Sequence, residues 1–264
     1  MYLERQLKQI KTIAILSGKA IIDIYNSSNY STQKKSDNSP LTEADLASNK
    51  IIVEEIKKYF PEHGILSEEI KDNKERLEKE SVWIIDPLDG TKEFISRNGE
   101  FTVNIALVYK GRPVLGVIYV PVKQELYYAI KGEGAFFEKN GKKQRINVSD
   151  KTKKLNLVKS RSHASEKLQK IIDKNDFGDI KTAGSSLKGC LVAKAEADVY
   201  YRLGPINEWD ICAMDIIVNE AGGKMTDLKG SKILYNKKDT LIRGFLVSNN
   251  KIHDKLLQKV KEID

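Results

Sequence analysis

Between Ser81 and Phe94 the chain has little choice of conformation. Val82 to Ile85 is a short apolar run, rich in β-branched and aromatic residues, and reads as a buried strand. Asp86 ends that strand, because Pro87 has no N–H to donate to a ladder. Asp89 follows on the same tight turn, and Gly90 lets a backbone pass close to a ligand. Thr91 to Phe94 read as the first turn of a helix. Two carboxylates on one strand-to-helix turn, with free amides just beyond, suit a metal-bridged anion: the carboxylates hold hard cations, and a helix start faces anionic oxygens. A plain turn, with Asp86 as a cap, is the simpler account of an isolated Asp-Gly. The complete run Asp86-Pro87-Leu88-Asp89-Gly90-Thr91 after a buried strand favours the site.

Other carboxylates stand at element ends. Thr42 is a helix N-cap, with Asp45 at capping-box spacing and Ile52, Val53, Ile56 and Phe60 on the buried face. His63 to Ser67 reads as a short strand. Glu68 at its end is a ligand candidate, although paired acids such as Glu68-Glu69 are usually solvated surface. Asn207-Glu208-Trp209-Asp210 opens an apolar helix that ends at Gly222-Gly223. There Asp210 is accounted for equally as an acid favoured by the helix dipole. Gly184-Ser185-Ser186-Leu187-Lys188 places hydroxyls, amides and a lysine on one turn after a strand, which suits a phosphate. A serine N-cap with an exposed lysine explains the same residues as well.

The 264 residues suffice for one large domain or two lobes, and the 40% of hydrophobic residues supports a packed core. Two cysteines, Cys190 and Cys212, make no disulfide framework. Scattered His63, His163 and His253 make no zinc site, so any metal is held by oxygen. The formal charge of +8 comes from dispersed pairs such as Lys57-Lys58 and Lys142-Lys143, without interleaved aromatics. That pattern reads as a solvated lysine-rich surface rather than a nucleic-acid face, and it still favours a small polyanionic substrate. No apolar run is long enough to cross a bilayer, and residues 12–18 are too short for a signal core. The expected location is cytoplasmic, or peripheral at the inner membrane. Nothing in the sequence specifies an oligomeric state.

In chain order, a first helix carries the stripe Leu3, Leu7, Ile10, Ala14, Ser17, Ile21 and Ile24. Residues 26–39 read as a loop, and residues 70–80 as a solvent-exposed helix or flexible insert. Consecutive antiparallel strands follow over 101–109, 113–121, 125–130 and 134–138, with a turn at Asn140-Gly141. Strands at 155–158, 180–183, 197–201, 224–226 and 242–247 then alternate with helices at 165–174, 186–195, 208–221 and 250–263. The expectation is an α+β lobe over 1–150, carrying most metal ligands, and a smaller α/β lobe over 151–264 completing the site.

Asp86-Pro87-Leu88-Asp89-Gly90-Thr91 resembles the signature of the lithium-sensitive, magnesium-dependent phosphomonoesterases, the inositol monophosphatase superfamily. The segment 35–45, Ser67-Glu68-Glu69, Trp209-Asp210 and Ala221-Gly222-Gly223 are similar to further motifs of that superfamily. Lys92-Glu93-Phe94 with residues 101–104, Gly-Ser-Ser-Leu-Lys at 184–188, and Ser160-Arg161-Ser162-His163 are similar to its 3'(2'),5'-bisphosphate nucleotidase branch, of CysQ type. Ile206, where these nucleotidases often have Thr, and Met214, where a small residue is common, depart from the pattern at the substrate rim.

The resemblance implies a layered αβαβα sandwich. It implies two or three Mg²⁺ held by Glu68, Asp86, the Leu88 carbonyl, Asp89 and Asp210. It also implies Asp45, Glu68 and Thr91 as catalytic, with Asp45 fixing Thr91, which together with Glu68 orients the attacking water. Gly90, Thr91, Ser160, His163, Ser185, Ser186, Lys188 and Arg202 are implied as substrate contacts. The implied reaction removes the 3'-phosphate of adenosine 3',5'-bisphosphate, and extends to its sulfated form. An inositol or sugar monophosphatase would share every metal ligand. A non-catalytic basic protein binding nucleic acid would need clustered cations.

Overall fold

The computed structural model describes residues 2–27, 32–34, 40–161 and 166–262. The first part of the chain forms α1 (Tyr2–Asn26), β1 (Thr32–Lys34), β2 (Pro40–Thr42), α2 (Glu43–Tyr59), β3 (Gly64–Ser67), β4 (Ser81–Asp89) and α3 (Thr91–Ile95). A meander follows: β5 (Thr102–Tyr109), β6 (Arg112–Val120), β7 (Glu125–Ile130), β8 (Gly134–Lys139) and β9 (Lys142–Ile146). The remainder is β10 (Leu157–Ser160), α4 (Glu166–Asp173), β11 (Ile180–Ala183), α5 (Leu187–Ala193), β12 (Val199–Arg202), β13 (Ile206–Asn207), α6 (Glu208–Glu220), β14 (Lys224–Asp227), β15 (Leu241–Ile242), β16 (Phe245–Ser248) and α7 (His253–Lys261).

Strands β3 to β9 form one seven-stranded sheet in sequence order, antiparallel except for the parallel β3–β4 pair. A second, five-stranded mixed sheet runs β11-β10-β12-β16-β14. Period-two alternation builds the layers. Trp83, Ile85, Ile105, Leu107 and Val117 face the helices α1 and α2, in a cluster with Ile10, Ala14, Ile52 and Ile56. Val82, Ile84, Ala106, Val108 and Ile118 face the other way, onto Cys190, Ile211, Ala213 and Ile217 of α5 and α6. The same central layer is closed from beyond by Tyr200, Phe245 and Val247 of the second sheet. The far face of that sheet, Leu157, Val199 and Leu246, is covered by Leu168 of α4 and Leu256 of α7. Helix, sheet, helix, sheet, helix is the expected αβαβα order. Each fully buried Leu, Ile or Phe contributes about 1.5–3 kcal/mol to holding those layers together.

Several local expectations need correction. The segment 26–39 is not wholly loop, because β1 and β2 pair antiparallel. Lys142–Ile146 adds an edge strand beyond the Asn140-Gly141 turn. Its charged, exposed face hid it, and such a face suits a sheet edge. The expected strand 242–247 is two strands: β15 pairs with β13, and β16 joins the five-stranded sheet. The break is at Gly244, where φ is +115° and a Cβ would stand 2.8 Å from the Arg202 carbonyl oxygen. Residues 70–80 are largely exposed as expected, but their only helical piece is one 3₁₀ turn at Glu75–Glu78, and Arg76 within it is buried and bonded to Asn236 rather than free. No helix among the described residues is long and apolar enough to cross a membrane.

His253 at the start of α7 makes the fold acid-sensitive. Its ring is buried, with Nδ1 2.7 Å from Ser248 Oγ and Nε2 2.9 Å from Thr226 Oγ1. Burial pushes its pKa from 6.5 down to about 4. The unfolded chain takes up this proton near pH 6.5 and the folded chain only near pH 4. The contribution is therefore intact above pH 6.5, and roughly 3 kcal/mol is lost as the pH falls to 4. Melting temperatures recorded across that window are expected to fall more steeply for the wild type than for His253→Gln. Parallel curves would refute the assignment.

Candidate metal and phosphate site

Strand β4 does not stop at Pro87 but runs on to Asp89, through an irregularity in its pairing with β5 between Asp86 and Asp89. That irregularity matters, because residues three apart on a regular strand point to opposite faces. Pro87 lacks the N–H a regular ladder would use, and the shifted register lets both carboxylates reach the α6 side. Carboxylate oxygens of Asp86, Asp89 and Asp210 lie within 4.8 Å of one another. Gly90 then turns the chain into α3 at φ +96°, a conformation that suits glycine.

Asp86 is fully buried. Its Oδ1 accepts from the Leu88 N–H at 3.1 Å, and its Oδ2 has no protein partner among the described residues. Burial, then the charges of Glu68, Asp89 and Asp210, push its pKa well above the usual carboxylate range. Asp210 is raised in the same way, by burial and then by Asp89 and Glu68. Glu68 enters this group because β3 pairs in parallel with β4, and the Glu68 N–H reaches the Ile85 carbonyl at 3.2 Å. One buried and several half-buried carboxylates that raise one another's pKa, one with an unpartnered oxygen, fit a bound divalent cation.

Asp45 closes the capping box expected of it, accepting from Thr42 N–H at 2.7 Å and Thr42 Oγ1 at 2.6 Å through Oδ2. Its Oδ1 accepts from Thr91 Oγ1 at 3.2 Å. Asp45 thus caps α2 and fixes Thr91 at once. Asp210 likewise closes a capping box at the start of α6, accepting from the Asn207 N–H at 2.9 Å.

A cavity of about 340 Å³ opens beside these carboxylates, and Glu68, Gly90, Thr91, Ser160, Ser185, Ser186, Lys188, Arg202, Ile206 and Asp210 are among its lining residues. A larger one of about 460 Å³ lies against β3, and Asp86, Asp89 and Asp210 are not among its lining residues. His163 lies outside the described residues.

Two sequence expectations change here. Ser186 stands at the N-cap position of α5, but its side chain makes no capping bond: its N–H donates to Asp89 Oδ2 at 2.6 Å and its Oγ to the Asp210 carbonyl, so it ties the two carboxylate segments together. Lys188 is not exposed. It is buried, donates to the Ser185 carbonyl at 2.6 Å, and lies 5.3 Å from the Tyr200 ring centre. Burial lowers its pKa to about 8, against the pull of Asp89 and Glu93. Ser185 adopts φ +43°, uncommon for a serine, with Oγ donating to the Glu100 carbonyl at 2.8 Å. Arg202 donates from one terminal nitrogen to the Pro205 carbonyl at 2.8 Å, while its Nε is buried without a partner among the described residues.

Sequence reasoning gave no role to Asn104 or Glu100. Asn104 stands opposite Asp86 on β5 and donates to Asp89 Oδ2 at 3.1 Å and to Ser186 Oγ at 3.0 Å. The signal available was an Asn inside an apolar strand. Glu100 accepts from Arg161 at 2.9 and 3.0 Å and from the Gly184 N–H at 2.9 Å, which steadies the 184–188 turn.

Comparison with known proteins adds to this geometry. A sequence profile described as the inositol monophosphatase family matches residues 3–264. Curated proteins named 3'(2'),5'-bisphosphate nucleotidase CysQ, from Salmonella typhimurium and from Escherichia coli K12, are each 40% identical over 245 residues, covering 92% of this chain and 99% of theirs. Among solved structures, CysQ from Bacteroides thetaiotaomicron superposes with a TM-score of 0.82 at 37% identity, covering 95% of this chain and 99% of that one. The suhB extragenic suppressor protein of Bartonella henselae superposes with a TM-score of 0.84 at 27% identity, covering 98% and 99%.

Proposed function

The chain belongs to the inositol monophosphatase family, and from that footing we propose that it is a magnesium-dependent phosphatase removing the 3'-phosphate of adenosine 3',5'-bisphosphate, and of its sulfated form. The observation that carries this reading is one cavity lined both by Asp89 and Asp210 and by Lys188 and Arg202. A substrate with one phosphate to cleave and a second, remote anion to hold needs both kinds of group. The nucleotidase names of the curated relatives support the nucleotide over an inositol phosphate.

Glu68, Asp86, the Leu88 carbonyl, Asp89 and Asp210 would hold two or three Mg²⁺. When bound, such ions neutralise phosphate oxygens and acidify a water. Thr91 Oγ1, itself held by Asp45, and Glu68 orient the attacking water, and the Glu68 carboxylate receives its proton. The new O–P bond forms in line as the bond from phosphorus to the 3'-oxygen breaks, and that oxygen takes up a proton from a solvent water. Lys188 and Arg202 bind the part of the substrate that does not react. Residues 1–150 and 151–264 act as two lobes: the first brings Glu68, Asp86 and Asp89, the second Lys188, Arg202 and Asp210.

The test is phosphate release from adenosine 3',5'-bisphosphate and from inositol 1-phosphate, each with Mg²⁺ and with a chelator. The bisphosphate is expected to be the better substrate, with no release under chelation. Preference for inositol 1-phosphate would overturn the nucleotide assignment, and release that persists under chelation would overturn the metal.

A further inference from the structure

Asp86 and Asp89 share one strand, so their spacing is set locally. Glu68 and Asp210 do not: one follows β3, the other begins α6. A buried arginine lies between those two segments. The turn around Arg76 is pressed onto β3, since a Cβ on Gly64 would stand 3.0 Å from the Arg76 Cβ. From there the guanidinium reaches across to the 236–237 backbone. Its Nη1 donates to Asn236 Oδ1 at 2.6 Å and its Nη2 to the Lys237 carbonyl at 3.0 Å, while Asn236 Nδ2 returns a bond to the Arg76 carbonyl at 3.1 Å. Asp72 Oδ2 accepts from Nε at 3.1 Å and from Nη2 at 2.7 Å, which orients the fork. The next link is Glu208, fully buried and two residues before Asp210. It accepts from the Asn236 N–H at 2.6 Å and the Lys237 N–H at 3.1 Å.

We propose that Arg76, through Asn236 and Glu208, is a positioning residue that sets the separation of Glu68 from Asp210 and so the affinity of the site for divalent cations. The planar fork is suited to this, because it engages a side chain and a backbone carbonyl at once in fixed directions. The inference rests on the carboxylate-site reading above.

Mn²⁺ is the probe, with free ion measured by electron paramagnetic resonance. The full chain is compared with Arg76→Met, Asn236→Ala, the double variant, and Leu256→Ala, a core truncation in the α7 cluster. Melting temperatures without metal are taken alongside. Arg76→Met and Asn236→Ala are each expected to weaken Mn²⁺ binding roughly ten-fold, the scale set by groups that orient metal ligands. The double variant should be no weaker than the worse single, because one connection has been cut twice. Leu256→Ala should melt lower with Mn²⁺ binding unchanged. Arg76→Lys, which keeps the charge without the fork, serves if Arg76→Met does not fold, and is expected to weaken binding as well. Wild-type affinity in the Arg76 variants, or losses that add in the double variant, would overturn the proposal. A wild-type chain that binds no Mn²⁺ would instead remove the carboxylate-site reading, and this inference with it.

Discussion

Asp86→Asn and Asp89→Asn are each expected to cut phosphate release by about 10³-fold or more, equivalent to about 4 kcal/mol of transition-state stabilisation. Both side chains would lose the charge that holds a cation, while keeping their shape and one acceptor oxygen. The fold should survive. Asp86 is buried, and its pKa is raised first by burial and then by Glu68, Asp89 and Asp210. Neutralising it relieves that repulsion, so the metal-free melting temperature of Asp86→Asn should be at or above the wild-type value. The further rise in melting temperature that Mg²⁺ gives the wild type should shrink or vanish. In Asp89→Asn the retained oxygen still accepts from Ser186 N–H, which preserves the junction with α5. Turnover near the wild-type rate at saturating Mg²⁺, in either variant, would remove these residues from the metal site.

Lys188→Ala and Arg202→Ala should raise KM for adenosine 3',5'-bisphosphate by about ten- to a hundred-fold, with a much smaller effect on inositol 1-phosphate. One charged hydrogen bond is worth about 1.5–3 kcal/mol, which is that range. Contact with the remote part of the substrate is similar in ground and transition states, so its loss appears mainly in KM. Arg202 is the cleaner case, since its buried Nε lacks a partner among the described residues. Lys188 has a second involvement, because its charge is attracted first by Asp89 and then by Glu93. Its removal should therefore lower kcat as well, and Lys188→Arg should restore less than a conservative change normally does in so buried a position. Equal KM effects on the two substrates would make a general monophosphatase the better description.

Much of this was legible along the chain because it is local. A capping box joins residues three positions apart, so Thr42 and Asp45 could be paired from spacing alone, as could the apolar stripe of α1 and the alternation of β5 to β7. The Asp86-Pro87-Leu88-Asp89-Gly90-Thr91 run announced itself by its composition. Expectation failed where a residue's partner is distant. The charge of residues 70–80 suggested exposure, yet Arg76 is buried because its acceptors are Asp72 nearby and Asn236 and Lys237 from far along the chain. Ser186 and Lys188 looked like a cap and a surface cation because nothing in their own turn shows that Asp89 and Asp210 meet them there.

Most of the order of elements, the run of carboxylates at element ends and the motifs behind the family resemblance could be had from the amino-acid order, since each depends on residues within a few positions of one another. Only the folded chain decided that Asp89 turns to the same side as Asp86, through a shifted register on β4, and that Asp210 arrives beside both on a helix held by Ser186. Burial completed the result. A carboxylate's pKa and a lysine's charge depend on which distant groups exclude water from around them, and those groups are chosen by packing of the layers rather than by sequence neighbours.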